Sequence, residues 1–231
     1  EDEIRKAGFS KDGKHQHPQI VLGLLVSKDA YPLAYDIFEG NKYEGDTFLP
    51  ILEGFRTKYG FHKLTVVADA GLLSNRNVSE LMEKGYEFIL GARIKNESNE
   101  VKDKILNLEF GKEKKHLIEK GGQRLIITYS EDRAKKDRYN REKGLARLEK
   151  LLKAGKLTKS SINNKGYNRF LKMEGEVALT VDSEKVTLDQ KWDGLKGYLT
   201  NSTMTIEESL QNYRHLWQIE KAFRGAKSQL K

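Results

Sequence analysis

The chain has 231 residues, 37% hydrophobic and 33% charged, a balance that fits one large folded domain or two small ones and excludes a disordered segment. It has no cysteine, which excludes a disulfide frame and a cysteine metal site, and no apolar run near the roughly 20 residues a membrane-spanning helix needs. The net charge of +8 is concentrated: residues 111–175 hold 19 Lys and Arg against 8 Asp and Glu, while the remainder is slightly acidic. Such a block attracts a polyanion, most simply nucleic acid, or else forms a solvated, charge-rich helix.

Taken in order, residues 1–19 are polar and read as a loop, and Ile20–Val26 is a continuous apolar run that predicts a buried strand. Ser27, Lys28 and Asp29 make a turn, and Tyr31–Phe38 returns as the second strand of an antiparallel hairpin. Asp46 or Thr47 then caps a helix with apolar residues at Phe48, Ile51, Leu52 and Phe55, and Gly60 stops it. A strand at Leu64–Ala68, a helix from about Ser74 to Gly85 and a buried strand at Tyr86–Ala92 follow. Helices between these later strands imply parallel crossovers in a mixed sheet.

The pattern then changes. Residues 116–130 read as a hairpin about Gly121 and Gly122, and Glu131–Lys153 as a long charged helix. Further strands are expected at Glu176–Val181 and Gly197–Thr200, and the chain is helical from Ile206 to its end. Residues 1–99 read as the first part of an α/β core, 100–190 as a basic insertion, and 191–231 as the return of the core in its last helix. The chain starts at Glu1 rather than Met and stops inside a helical pattern, which reads as a fragment of a longer protein.

Two acids stand out. Asp69 ends a β-branched strand and is followed by the small residues Ala70 and Gly71, which leave room for a phosphate. Open α/β sheets place ligands at the carboxyl ends of their strands, and a carboxylate there suits a hard divalent cation, the alternative being a simple turn cap. In the last helix Tyr213, Glu220 and Lys227 recur every seven residues, nearly two turns, with Leu216, Trp217 and Phe223 on or beside that stripe. A Glu facing an apolar stripe is costly unless it is paired or metal-bound, the alternative being a surface ion pair between Glu220 and Arg224. His15 and His17 offer two nitrogen ligands without a third, Gly121-Gly122 is a turn rather than a phosphate loop, and Trp192 and Trp217 read as core residues, the alternative for Trp192 being a stacking platform for a flipped base. The basic helix carries Lys135, Lys136, Arg138, Arg141 and Arg147, read as phosphate contacts with several of them solvated.

The spacing Tyr-x2-Arg-x3-Glu-x6-Lys resembles the signature of bacterial insertion-sequence transposases of the DDE type, with Tyr213, Glu220 and Lys227 in place and Leu216 at the Arg position. The segments SKDGKHQHPQIVLGLLV, PLAYDIFEGN and VVADAGLLSNRNVSELMEKGYEFILGARIK are similar to that class as well. The resemblance implies an RNase H-like α/β fold, with a mixed sheet flanked by helices and an α+β insertion before the last catalytic helix. It also implies a triad of two Asp and one Glu, of which Asp69 is the second acid and Glu220 the third. The first Asp belongs on a strand expected upstream of Glu1, since Asp36 does not fit the topology.

The implied activity is metal-dependent cleavage and strand transfer of insertion-sequence ends, with two Mg²⁺ ions, or Mn²⁺ in their place, held by the carboxylates. Tyr213 and Lys227 would meet DNA phosphates, Arg224 would stand in for the missing signature cation, and Lys135, Lys136 and Arg138 would bind DNA in the basic block. The implied partners are double-stranded DNA, both terminal inverted repeats and target, and a second copy of the chain, with no membrane. The implied location is the bacterial cytoplasm, at the nucleoid when DNA is bound. The alternative is a non-catalytic DNA-binding remnant that lacks the first Asp.

Overall fold

The computed structural model describes residues 3–8, 16–26, 32–42, 44–60, 64–69, 75–175, 178–218 and 221. Strands β1 (Lys6–Ala7), β2 (Pro18–Val26) and β3 (Pro32–Glu39) form an antiparallel sheet in that order. Ile20 pairs with Glu39 and Leu24 with Tyr35, so the predicted hairpin is present. The polar segment before it, read as loop, supplies β1. At Gly40 a Cβ would overlap the carbonyl oxygens of Gln19 and Lys6, so only glycine fits the close approach of β1 and β2. Among the described residues this sheet shares no hydrogen-bonded neighbour with the later strands. The mixed sheet expected from the parallel crossovers is the one the later strands form, and among the described residues the hairpin stands in an antiparallel sheet of its own.

Helix α1 (Glu44–Tyr59) starts two residues before the expected Asp46 cap and carries Pro50 inside it. It ends at Gly60, whose φ of +65° is a left-handed helix stop. Strand β4 (Thr65–Ala68), helix α2 (Asn75–Glu83) and strand β5 (Glu87–Ala92) make a strand–helix–strand unit. β4 and β5 pair in parallel, Val66 with Phe88 and Ala68 with Leu90, as a helical crossover requires. α2 closes on Gly85 (φ +72°), where Tyr86 N–H donates to the Leu81 carbonyl and Gly85 N–H to that of Met82. These are the two bonds of a Schellman end, and they turn the chain into β5.

Leu49 of α1 and Leu81 of α2 pack with Val66, Ala68, Phe88 and Leu90 in one buried cluster. Alternation along a strand then sends Val67 and Ile89 to the opposite face of the sheet.

The chain continues with α3 (Asn99–Leu106), β6 (Lys115–Lys120), β7 (Gln123–Tyr129), α4 (Glu131–Lys153), β8 (Leu171–Glu174), β9 (Ala178–Val181), α5 (Ser183–Gln190), β10 (Leu195–Thr200) and α6 (Ile206–Arg214). A five-stranded sheet runs β4-β5-β10-β7-β6, and β8 and β9 pair separately as an antiparallel ribbon. Gly121 (φ +54°) and Gly122 (φ +77°) form the expected tight turn between β6 and β7. Three strands of the segment after Ala92 therefore extend the sheet that β4 and β5 begin. The sequence reading missed α3, α5 and β8, of 8, 8 and 4 residues, because so short a span carries little periodicity. No helix among the described residues is long and apolar enough to cross a membrane.

By compactness the chain forms two units, one of residues 1–92, 119–125 and 198–231, the other of 93–118 and 126–197. In the second unit α4 is capped by Ser130, whose side chain accepts from Arg133 N–H, and has Glu131 and Asp132 in its first turn, where the helix dipole favours acids. Its core is Leu148 with Phe170 and Leu171. The Tyr167 ring lies against Gly144, and its hydroxyl donates to the Asn140 carbonyl at 2.6 Å.

A Cβ at position 144 would overlap the Tyr167 ring. Gly144→Ala gains up to about 1 kcal/mol of helix propensity, yet overpacking typically costs about 1–3 kcal/mol. The expected outcome is a lower thermal midpoint than wild type. A raised midpoint would show that Tyr167 moves aside freely.

Candidate active site

Asp69 directly follows β4, and it is exposed whereas Ala68 before it is buried. Strand alternation puts Asp69 on the Val67 side of the sheet, away from the cluster under α1 and α2. Helix α6 contacts both β4 and β5. From α6, Tyr213 donates its hydroxyl to Asp69 Oδ1 at 3.5 Å, a long and weak hydrogen bond. The Tyr213 ring is fixed by an edge-to-face contact with Tyr198 of β10, centroids 4.7 Å apart at 76°.

The course of α6 is set where it leaves β10. Thr200 Oγ1 donates to the Phe88 carbonyl at 2.6 Å and accepts from Ser202 N–H at 3.1 Å. Asn201 Oδ1 accepts from Phe88 N–H at 2.8 Å, and Asn201 Nδ2 donates to the Tyr86 carbonyl at 2.9 Å. Arg124 Nη1 donates to the carbonyls of Ser202 and Met204, each at 2.8 Å, and so holds the connection to α6 from the side of β7. Thr205 and Glu208 close a capping box at the helix start. The Thr205-x-x-Glu208 spacing was available in the sequence as a helix-start signal, whereas nothing in the sequence pointed to Arg124.

The structure thus brings together two of the predicted site residues, Asp69 and Tyr213. Glu220, Arg224 and Lys227 lie outside the described residues. Trp217, expected as core beside Glu220, is 56% exposed, with Lys221 Nζ 5.8 Å from its ring centroid. The apolar stripe expected there is represented among the described residues by the half-buried Leu216. His15 also lies outside the described residues, and His17 is exposed. Among the described residues no group of three His, Cys, Asp or Glu could hold a metal.

On α4, Lys135, Lys136 and Arg138 are all exposed. Lys136 and Arg138 are two residues apart, so they point about 160° away from one another round the helix. Arg141 does not join them, which corrects its reading as a phosphate contact. Its side chain is 4% exposed, and Nη1 and Nη2 each donate to Asp193 at 2.5 Å. A buried guanidinium needs such a paired, bidentate partner.

Residues 2–231 match the family model described as Transposase DDE domain. The chain belongs to the transposase DDE domain family. No curated protein and no solved structure matches it. The α/β architecture of this transposase domain, a mixed five-stranded sheet flanked by helices, is consistent with the RNase H-like fold of such domains. DNA is the substrate that membership implies.

The second unit of the transposase domain is held by an ion network around Asp189 and Asp193. Lys95 Nζ reaches Asp189 Oδ1 at 2.6 Å, Arg169 Nη2 reaches the same oxygen at 3.3 Å, and Arg141 Nη1 stands 3.7 Å from Oδ2. Burial pushes the Asp189 carboxyl up, but the Lys95 hydrogen bond, with the charges of Lys95, Arg169 and Arg141, outweighs it and holds the group below its ordinary value of 3.8.

A carboxyl depressed in the folded state stabilises fully above its unfolded value, and that contribution is lost as pH falls through the folded one. Wild type should therefore lose stability on acidification below 3.8. The stability gap between wild type and Asp189→Asn, followed by urea unfolding at successive pH values, should shrink over that window. A gap independent of pH would remove Asp189 from this role. Arg124→Ala should cost roughly 1–3 kcal/mol by loss of two charge-assisted bonds, read from the urea midpoint at neutral pH. A cost near zero would mean that the connection to α6 is held without it.

Proposed function

We propose that this chain is the catalytic core of a cut-and-paste transposase, which cleaves insertion-sequence ends and joins them to target DNA by metal-dependent, in-line phosphoryl transfer. The observation that carries the reading is the meeting of Asp69, at the carboxyl end of a parallel strand, with Tyr213 of α6, which stands seven residues before Glu220 in the sequence. A strand end of this kind is where open α/β sheets bind ligands.

The residues that would hold divalent cations, Mg²⁺ or Mn²⁺, are Asp69 and Glu220, with a further carboxylate of the family triad. The donor set fits: carboxylate oxygens are the ligands of a hard cation, and Asp69 is exposed. When bound, such ions supply Lewis-acid neutralisation of charge at the scissile phosphate. Tyr213 donates to Oδ1 of Asp69 and so restrains the rotation of that carboxylate about the end of β4. Lys227 and Arg224 are assigned to phosphates flanking the scissile bond, and Lys135, Lys136 and Arg138 to DNA held by the second unit. Positioning and charge neutralisation account for most of the rate in phosphoryl transfer, and no covalent enzyme intermediate is required. The substrates in this reading are the terminal inverted repeats and a target duplex, with two copies of the chain acting on paired ends.

The test is Mg²⁺-dependent cleavage of a duplex carrying the element's ends by the full-length protein. Asp69→Ala and Glu220→Ala should each abolish cleavage while binding the same duplex in EDTA as wild type does. Cleavage by Asp69→Ala at the wild-type rate would overturn the assignment.

A further inference from the structure

The geometry points to one defined face of α4 as a track for the backbone of duplex DNA, read by Lys136, Lys143 and Lys150 with Tyr139 and Arg147 beside them. The inference rests on the DNA-directed function proposed above and names a surface within it.

The buried line of α4 is Ala134, Arg141 and Leu148, spaced by seven residues. Lys136, Lys143 and Lys150 repeat the same interval two positions later, so they stand about 160° round the helix from the buried line. All three are exposed, as is Arg147, and Tyr139 is 62% exposed on the same side. The lysines recur about every 10 Å and span about 21 Å of helix axis. The acids Glu142 and Glu149 each precede a lysine of the line and sit about 100° away from it.

Of the other acids, Asp132 is exposed one turn before Lys136, at the N-terminal end of this face, while Glu131 and Asp137 are engaged elsewhere. Glu131 pairs with Lys114 at 2.5 Å, and Asp137 with Arg133 at 3.7 Å and with Gly194 N–H at 3.1 Å. Among the described residues no ion pair engages Lys136, Lys143 or Lys150.

Two physical consequences follow. From Lys136 to Lys150 the face carries cations without an acid among them, which suits regularly spaced phosphates and not a mixed-charge protein surface. It is also presented rigidly, because the bidentate bond from Arg141 to Asp193 fixes the rotation of α4 about its own axis. The phenol of Tyr139 adds a neutral donor to phosphate oxygen, an interaction that tyrosine commonly makes with DNA. Arg138, on the other side of the helix, is not part of the track.

The experiment measures binding of the full-length protein to a random-sequence duplex in EDTA across a salt series. In Lys136→Ala/Lys143→Ala/Lys150→Ala the slope of log K against log salt should become shallower by about 2.7, at about 0.9 for each phosphate that no longer meets a lysine. The thermal midpoint should stay at the wild-type value. The matching triple Lys→Arg variant should keep the wild-type slope. An unchanged slope in the alanine variant, with wild type still binding, would overturn this face alone. Wild type that does not bind duplex at all would overturn both this inference and the proposed function.

Discussion

The side chain of Asn201 occupies two main-chain hydrogen-bonding positions beside β5, taking the N–H of Phe88 and giving a proton to the carbonyl of Tyr86. A strand end that leaves such groups unpaired inside a protein is costly. Here a side chain completes the pairing just where the backbone turns away. Thr200 does the same for the Phe88 carbonyl, and Arg124 then holds the departing carbonyls of Ser202 and Met204. The start of α6 is thus pinned from β5 and β7, and the helix that begins there reaches Asp69 through Tyr213.

The candidate site follows from that pinning and from the two-residue alternation of a strand. Val66 and Ala68 are buried with the leucines of α1 and α2, so Asp69 falls on the opposite side, the side of Tyr213. The hydrogen bond itself is long and contributes little energy. Its weight lies in placing a carboxylate, a phenol and the approach of the last helix at one strand end.

The second unit shows how burial decides what a charge does. On one helix, Arg141 is enclosed and committed to Asp193, while Lys136, Lys143 and Lys150 stand on the far side in water. A charge run read along the sequence treats these residues alike. Round the helix they separate into a structural ion pair and a solvent-facing line, because a guanidinium out of water needs its counter-charge and an ammonium in water does not.

Much of the local structure was legible in the residues themselves. The hairpin of β2 and β3, the parallel pair β4 and β5, the left-handed stop at Gly85, the turn at Gly121-Gly122 and the bounds of α4 all follow from spacing and from glycine and capping chemistry. Asp69 and Tyr213 were singled out by strand position and by the seven-residue interval that carried the family resemblance, and the fold sets them 3.5 Å apart. The partners of segments far apart in the chain were not legible. Periodicity says which face of an element is apolar and is silent on which edge it pairs with. Only the folded chain placed β10, β7 and β6 on the sheet of β4 and β5, left β1–β3 as a sheet of their own, and brought Arg124 to the start of α6. Only there did Arg141 prove buried and Trp217 exposed, since hydrogen bonding and burial depend on neighbours that arrive from elsewhere in the sequence.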